Sequence, residues 1–360
     1  LFPRMAQVLV TISLALIWAN YWALVAGILT ARVLRITASY IMHPYRPHLS
    51  LRAWRELIGF SFWTWMISMA QMIRGRGVTM IIGRMLNPTL LGVYTLGSEI
   101  ATLPETELIA PLCRVCFASF SAARRDGMRI AETYLRIISS TLVIALPASI
   151  GISSIAAPLV TLAFGSKWMQ ATPVVQILAL AGLFAVMGRI SWTLFSAFAY
   201  LRSLFWISIV MAAGQFCLLV AFVWQWGIPG AAIATALTVL LEQAIYSILA
   251  LRAFDISPLD MLQRVWRCLL AAATMAAALR FTGFGWTTGA TMSASIATQL
   301  FAACCLGAAV YTVVLVALWL ACGRPKGPEM DVLGLLRQTG RRLLRSIGRR
   351  LVLLRTVGSR

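Results

Sequence analysis

Acidic residues are scarce in this chain: 11 Asp and Glu stand against 31 Lys and Arg among 360 residues. Charged residues of both signs reach only 12%, about half the share usual in a soluble domain. That deficit excludes a soluble globular protein of this length. Histidine is reduced to two, His43 and His48, in one polar loop. They support neither His-centred catalysis nor a His-containing metal site. Seven cysteines are present, and none shows metal-ligand spacing. Cys113 and Cys116 form a CxxC with no second pair and no nearby His, which reads as apolar packing. There is no Ser/His/Asp set, no phosphate-cradling Gly-rich loop and no exposed acidic pair. No catalytic residue, metal or cofactor is expected, and the chain is not read as an enzyme.

What fills the chain is apolar. Hydrophobic residues make up 60%, and the mean hydropathy is +0.85. Apolar runs of about 20 residues recur, matching the ~30 Å hydrocarbon core of a bilayer. The reading is an all-α polytopic membrane protein. Ten spans are predicted, over 5–19, 21–41, 57–84, 90–119, 134–156, 173–199, 204–225, 229–251, 266–283 and 293–321. The third and fourth are long enough to need a tilt or a kink. With the first end cytoplasmic, Arg46, Arg52, Arg55, Arg124, Arg125, Arg129, Arg202, Arg252, Arg264 and Arg267 share one side. The other side receives little beyond Arg84, Lys167 and Arg280. By the positive-inside rule both ends are cytoplasmic. The opening "LFPRMAQVLV" has no initiator Met and no signal-peptide pattern, so a truncated chain is expected.

The segment from Gly323 to Arg360 holds ten basic residues against Glu329 and Asp331. Leu336, Leu343, Ile347, Leu351 and Leu354 recur at helical steps, as do Arg337, Arg341, Arg345 and Arg349. This predicts a basic amphipathic helix lying on an anionic leaflet rather than a nucleic-acid site.

Ionisable residues at membrane depth are costly and face a protein interior or a watery cavity. Arg74 and Arg76 lie in "MIRGRGVTMIIGR", Arg74 about 27 Å along a helix that starts near Glu56. Gly75 and Gly77 beside them would admit a bend or a close neighbour. Arg189 precedes Arg202 by about 20 Å of helix, and Glu242 precedes Arg252 by about 15 Å. Arg189 is either a substrate contact or half of a buried pair, with Glu242 as its partner. Arginine suits phosphate, because its planar fork binds two oxygens and stays charged. The stretch "GVYTLGSEIATLPETELIAPLCRVCF" adds Glu99, Glu105, Glu107 and Arg114. Glu99 would lie about 15 Å from the outer end of its helix. Glu107 and Arg114 share a helix face, so they would form an ion pair or leave Glu107 to titrate. Pro104 and Pro111 predict a bent, broken helix of the kind that lines transport cavities.

These residues resemble a known family. "GVYTLGSEIATLPETELIAPLCRVCFASFS" is similar to the G-x-Y…P…P…R-V-x-F-P-x-x-S pattern of bacterial polysaccharide and O-antigen flippases. These belong to the multidrug/oligosaccharidyl-lipid/polysaccharide exporter superfamily. "HPYRPHLSLRAWRELIGFSFW" and "AFGSKWMQATPVVQILAL" are also similar to family segments, and the resemblance covers most of 1–255. Ala118 stands where the family often has Pro. The resemblance implies a MATE-like helical bundle, with about ten of an expected fourteen transmembrane helices present here. It divides the chain into the end of a first lobe and a linker (1–56), a second lobe (57–255), a final helix pair (256–322) and the tail (323–360).

The function it implies is flipping undecaprenyl-pyrophosphate-linked oligosaccharide, an O-antigen or exopolysaccharide unit, across the inner membrane by alternating access. Arg74, Arg76, Arg114 and Arg189 would line the substrate cavity. Glu99, Glu107 and Glu242 would couple an ion or form structural pairs. Expected partners are the lipid-linked oligosaccharide, anionic lipids and other polysaccharide assembly proteins, with no nucleic acid. A cation-coupled multidrug antiporter would need a carboxylate-dominated cavity. A membrane-embedded polymerase or ligase would need a large outer loop, and the longest here, around Phe164–Ala171, is short.

Overall fold

The computed structural model describes residues 2–18, 20, 22–42, 54–125, 130–286 and 295–322. His43, His48 and the basic tail lie outside these residues. Among the described residues the chain is helical throughout. The helices are α1 (Phe2–Trp18), α2 (Trp22–Met42), α3 (Trp54–Met85), α4 (Pro88–Leu103), α5 (Ala110–Arg125), α6 (Ile130–Ser154), α7 (Ala156–Phe164), α8 (Thr172–Ala197), α9 (Leu201–Ala253), α10 (Pro258–Phe281) and α11 (Ser295–Ala321). The predicted spans fall on these helices, with 90–119 running over α4, a π-turn and α5, and with 204–225 and 229–251 both on α9. Six helical stretches among the described residues are long and apolar enough to cross a bilayer. The chain is a multi-pass membrane protein.

Its surface is inverted relative to a soluble fold. Trp224 is 86% exposed and Phe281 89%, whereas Gln215, Glu242, Thr238 and Ser208 are buried. Lipid solvates the apolar exterior, so apolar burial cannot drive helix association. Close packing of small residues does that work instead. A Cβ on Gly97 of α4 would lie 2.8 Å from Val174 of α8, and one on Gly77 of α3 would lie 2.6 Å from the Phe216 ring of α9. Ala179, Ala231, Ala232 and Ala234 are fully buried in the same region. Two segments of the family resemblance also meet: Trp168, in the 3₁₀ turn Ser166–Ala171, lies against Gly92 of α4.

The described residues fall into two compact units, divided between Ile58 and Gly59. In the first unit α1 and α2 pack together. A Cβ on Gly27 would lie 1.9 Å from the Thr11 hydroxyl, which marks how close the two helices come. In the second unit α8 is central, packing on α4, α5, α6 and α9. Buried cross-links tie α6 to its neighbours: Tyr134 hydrogen-bonds Ser191 of α8 at 2.7 Å, and the Tyr311 hydroxyl of α11 donates to the Val143 carbonyl at 2.8 Å. Cys113 and Cys116 are free thiols buried in this core.

Three irregularities shape the helices. Asn87 caps α4, its side chain accepting from the Leu90 N–H at 2.8 Å, with Pro88 in the first turn. Between α4 and α5 the helix does not break, as the two prolines had suggested, but widens into a π-turn over Pro104–Ile109. There the Ala110 N–H reaches the Glu105 carbonyl. Pro111 has no N–H for the Glu107 carbonyl, which favours this wider winding. In α9, Gly227 adopts φ 61° and ψ −131° and divides the helix where two separate spans were predicted.

Candidate functional site

The second unit holds a partly open cavity of about 470 Å³ between α3, α4, the π-turn, α8 and α9. Arg74, Arg189, Glu105 and Glu242 all line it, and they form two ion pairs.

The first pair is locked into a network. α3 runs unbroken to Met85, so Arg74 lies inside the helix. Its Nε donates to Gln215 Oε1 and its Nη1 to Glu242 Oε2. The Tyr246 hydroxyl donates to the other carboxylate oxygen at 3.2 Å, and Ser208 Oγ lies 3.2 Å from that hydroxyl. Gln215 and Ser208 come from α9 before Gly227, Glu242 and Tyr246 from α9 after it. Arg74 therefore ties α3 to both halves of α9. All four partners are buried. A buried charge needs an opposite charge with its remaining hydrogen bonds satisfied, and this arrangement supplies both.

The second pair is looser. Arg189 of α8 donates from Nη2 to Glu105 Oε1 on the π-turn. The Arg189 side chain is 45% exposed and that of Glu105 20%, against 17% for Arg74 and 10% for Glu242. Nearby, the Tyr94 hydroxyl and Thr235 share a hydrogen bond of 2.9 Å that joins α4 to α9. Gln243 Oε1 and Trp192 Nε1, from residues of the lining, are buried atoms without a hydrogen-bond partner. The close approach of α8 and α9 that seats Gln243 requires Gly188, where a Cβ would meet the Gln243 Cα at 2.8 Å.

The expected site residues are therefore only partly brought together. Arg74, Arg189 and Glu242 converge. The partner expected for Arg189, Glu242, instead holds Arg74, and Glu105 takes its place. Arg76 is exposed and outside this lining. Two residues on from Arg74, it sits about 200° around the helix. Gly75 meets no neighbour, whereas Gly77 receives Phe216. Glu99 and Glu107 are exposed and are not among the lining residues either. The Arg114 side chain lies outside the described residues. Sequence reading did not single out Gln215, Tyr246, Tyr94 or Gln243. The one available signal was polar residues recurring on one face of an apolar run, as with Glu242, Gln243 and Tyr246.

The described residues thus form a helical bundle with a charged internal cavity, and comparison with known structures agrees on the fold. The chain is similar to a structure titled lipid II flippase MurJ, inward closed conformation, with a TM-score of 0.67 at 13% identity. The similarity covers 89% of this chain and 68% of that one. At the level of sequence, residues 1–173 match the family model described as polysaccharide biosynthesis protein. The chain is 31% identical over 130 residues to the teichuronic acid biosynthesis protein TuaB of Bacillus subtilis, covering 36% of this chain and 27% of that protein. It is 26% identical to the succinoglycan biosynthesis transport protein ExoT of Rhizobium meliloti, covering 48% and 35%. It is 28% identical to the lipopolysaccharide biosynthesis protein WzxC of Escherichia coli, covering 40% and 30%. These matches bear out the resemblance to the polysaccharide and O-antigen flippase family. The chain thus spans about a third of the length of these curated relatives.

Proposed function

We propose that the chain works in a flippase for lipid-linked oligosaccharide, carrying undecaprenyl-pyrophosphate-linked O-antigen or exopolysaccharide units across the bacterial inner membrane by alternating access. The observation that carries this reading is the charged cavity around Arg74 and Arg189 inside an otherwise apolar bundle. Arginine is suited to a pyrophosphate group, and the transporter-like fold and polysaccharide-export relatives support that substrate class. The cavity pairs two arginines with two carboxylates rather than being dominated by carboxylates, the feature a drug/cation antiporter would need.

Residues 57–255 form the working lobe in this reading, and 1–56 end the preceding lobe and its linker. The final pair, 256–322, completes the bundle, and the tail from 323 rests on the anionic cytoplasmic leaflet. Both ends are cytoplasmic by the distribution of basic residues. Glu99 and Glu107 are proposed to act in ion coupling or structural pairing, and Arg114 in the substrate cavity or as the partner of Glu107. Other polysaccharide assembly proteins are the proposed partners.

The test is complementation. A strain lacking the gene that encodes this sequence is supplied with the wild-type gene or with Arg189→Ala, and surface polysaccharide is measured. The wild-type gene restores polysaccharide and the variant does not. Full restoration by Arg189→Ala removes Arg189 from the mechanism. Normal polysaccharide in the deletion strain removes the function.

A further inference from the structure

The two arginines of the cavity are held in different ways. Arg74 is engaged through two of its nitrogens, and its partners are themselves braced by Tyr246 and Ser208. Releasing it would strand a buried carboxylate and unpin both halves of α9, which is costly. Arg189 is nearly half exposed and makes one ion pair. Guanidinium carries five N–H donors, and Arg189 spends one of them on Glu105. Pairs as exposed as this are worth only about 0–1 kcal/mol, so another anion can compete.

The electrostatics favour such competition. With two arginines and two glutamates, the cavity is neutral as it stands. A phosphate entering this neutral cavity would find no free cationic partner. If Glu105 leaves Arg189, the incoming phosphate takes its place and the pairing is restored. Glu105 is well placed to leave, because it stands on the π-turn between Pro104 and Pro111, where the helical hydrogen bonding is already interrupted.

Resting on the reading of this cavity as an anionic-substrate site, we infer that Arg189 is its exchangeable phosphate contact. Glu105 is the internal anion that the substrate displaces, while Arg74 is a fixed brace. Glu105 thus sets a threshold. Only a ligand with a stronger claim on the guanidinium than one carboxylate, such as a bidentate pyrophosphate, opens the pair.

The experiment measures binding of farnesyl pyrophosphate and of inorganic pyrophosphate to the purified full chain in detergent. It compares wild type, Glu105→Gln, Arg189→Ala and Arg189→Lys. Removing the competitor is expected to tighten binding about 3- to 5-fold, the equivalent of a weak ion pair. Arg189→Ala should lose at least about tenfold, and Arg189→Lys should recover part of that, since a point charge replaces the fork. Tighter binding of the farnesyl compound assigns the site to a lipid head group, and equal binding assigns it to a free anion. Either result upholds the exchange. Arg189-dependent binding that is unchanged in Glu105→Gln overturns the exchange alone. Absence of binding by both wild type and Glu105→Gln overturns the anionic-substrate reading with it.

Discussion

Removing Glu242 should cost this fold far more than removing Glu105, although each is one carboxylate facing one arginine. Glu242 is 7% exposed, and Tyr246, which donates to it, and Gln215, which shares Arg74 with it, are 3% each. Glu242→Ala leaves the Arg74 guanidinium with Gln215 alone and takes the acceptor from the Tyr246 hydroxyl. Breaking a buried pair costs about 3–5 kcal/mol. The Arg74 side chain retains 17% exposure, so some hydration is recovered and about 2–3 kcal/mol is expected. Replacing both charges in Arg74→Met/Glu242→Ala should recover most of that loss, because no stranded charge remains. The coupling energy of the cycle is then at least about 1.5–2.5 kcal/mol in magnitude, larger by whatever Arg74→Met alone costs. The parallel cycle on Arg189 and Glu105 should give no more than about 1 kcal/mol, since that pair is far more exposed. Both cycles can be measured by reversible detergent-induced unfolding, followed by tryptophan fluorescence. Coupling as large at Arg189–Glu105 as at Arg74–Glu242 would refute the division into brace and exchangeable contact.

Two further substitutions probe the packing that shapes the cavity. Gly188→Ala puts a methyl group 2.8 Å from the Gln243 Cα. No rotamer relieves a clash with backbone, so α8 and α9 must separate. The expected cost is about 1–3 kcal/mol in the same unfolding measurement, and an unchanged stability would contradict the observed approach. Gly227→Ala meets no neighbouring atom but must hold φ 61°, a backbone cost of about 1–3 kcal/mol. Gly214→Ala, equally open and regularly helical, should be neutral or stabilising by up to about 1 kcal/mol, so equal effects at 214 and 227 would count against the kink.

The apolar helices were legible in the sequence because lipid forces long uninterrupted apolar runs, and the Gly227 division was legible in "WGIPG". Pro104 and Pro111 announced an irregularity, but not its form. A proline states which hydrogen bond is missing, and neighbouring packing decides whether the helix breaks or widens into a π-turn. Depth along a helix also carried through: Arg74, Arg189 and Glu242 were each placed inside the bundle by counting from a charged end, and all three reach the cavity. Pairing was not legible. Arg74 and Glu242 lie 168 positions apart, and Arg189 and Glu105 lie 84 apart. Which carboxylate meets which guanidinium depends on the rotation of each helix about its axis, fixed by contacts such as Gly188 against Gln243. Arg76 shows the same gap at short range. It shares Arg74's depth, but the helical turn places it on another face.

The central proposal is that this protein moves a lipid-linked glycan across the bilayer. The most direct measurement is the sidedness of that glycan in spheroplasts of the source organism, read by its accessibility to an external membrane-impermeant glycan-modifying probe. With the wild-type gene, the lipid-linked oligosaccharide should be labelled from outside. With the gene deleted or carrying Arg189→Ala, it should accumulate unlabelled on the inner face. Outside labelling that is equal in all three strains would contradict the central claim.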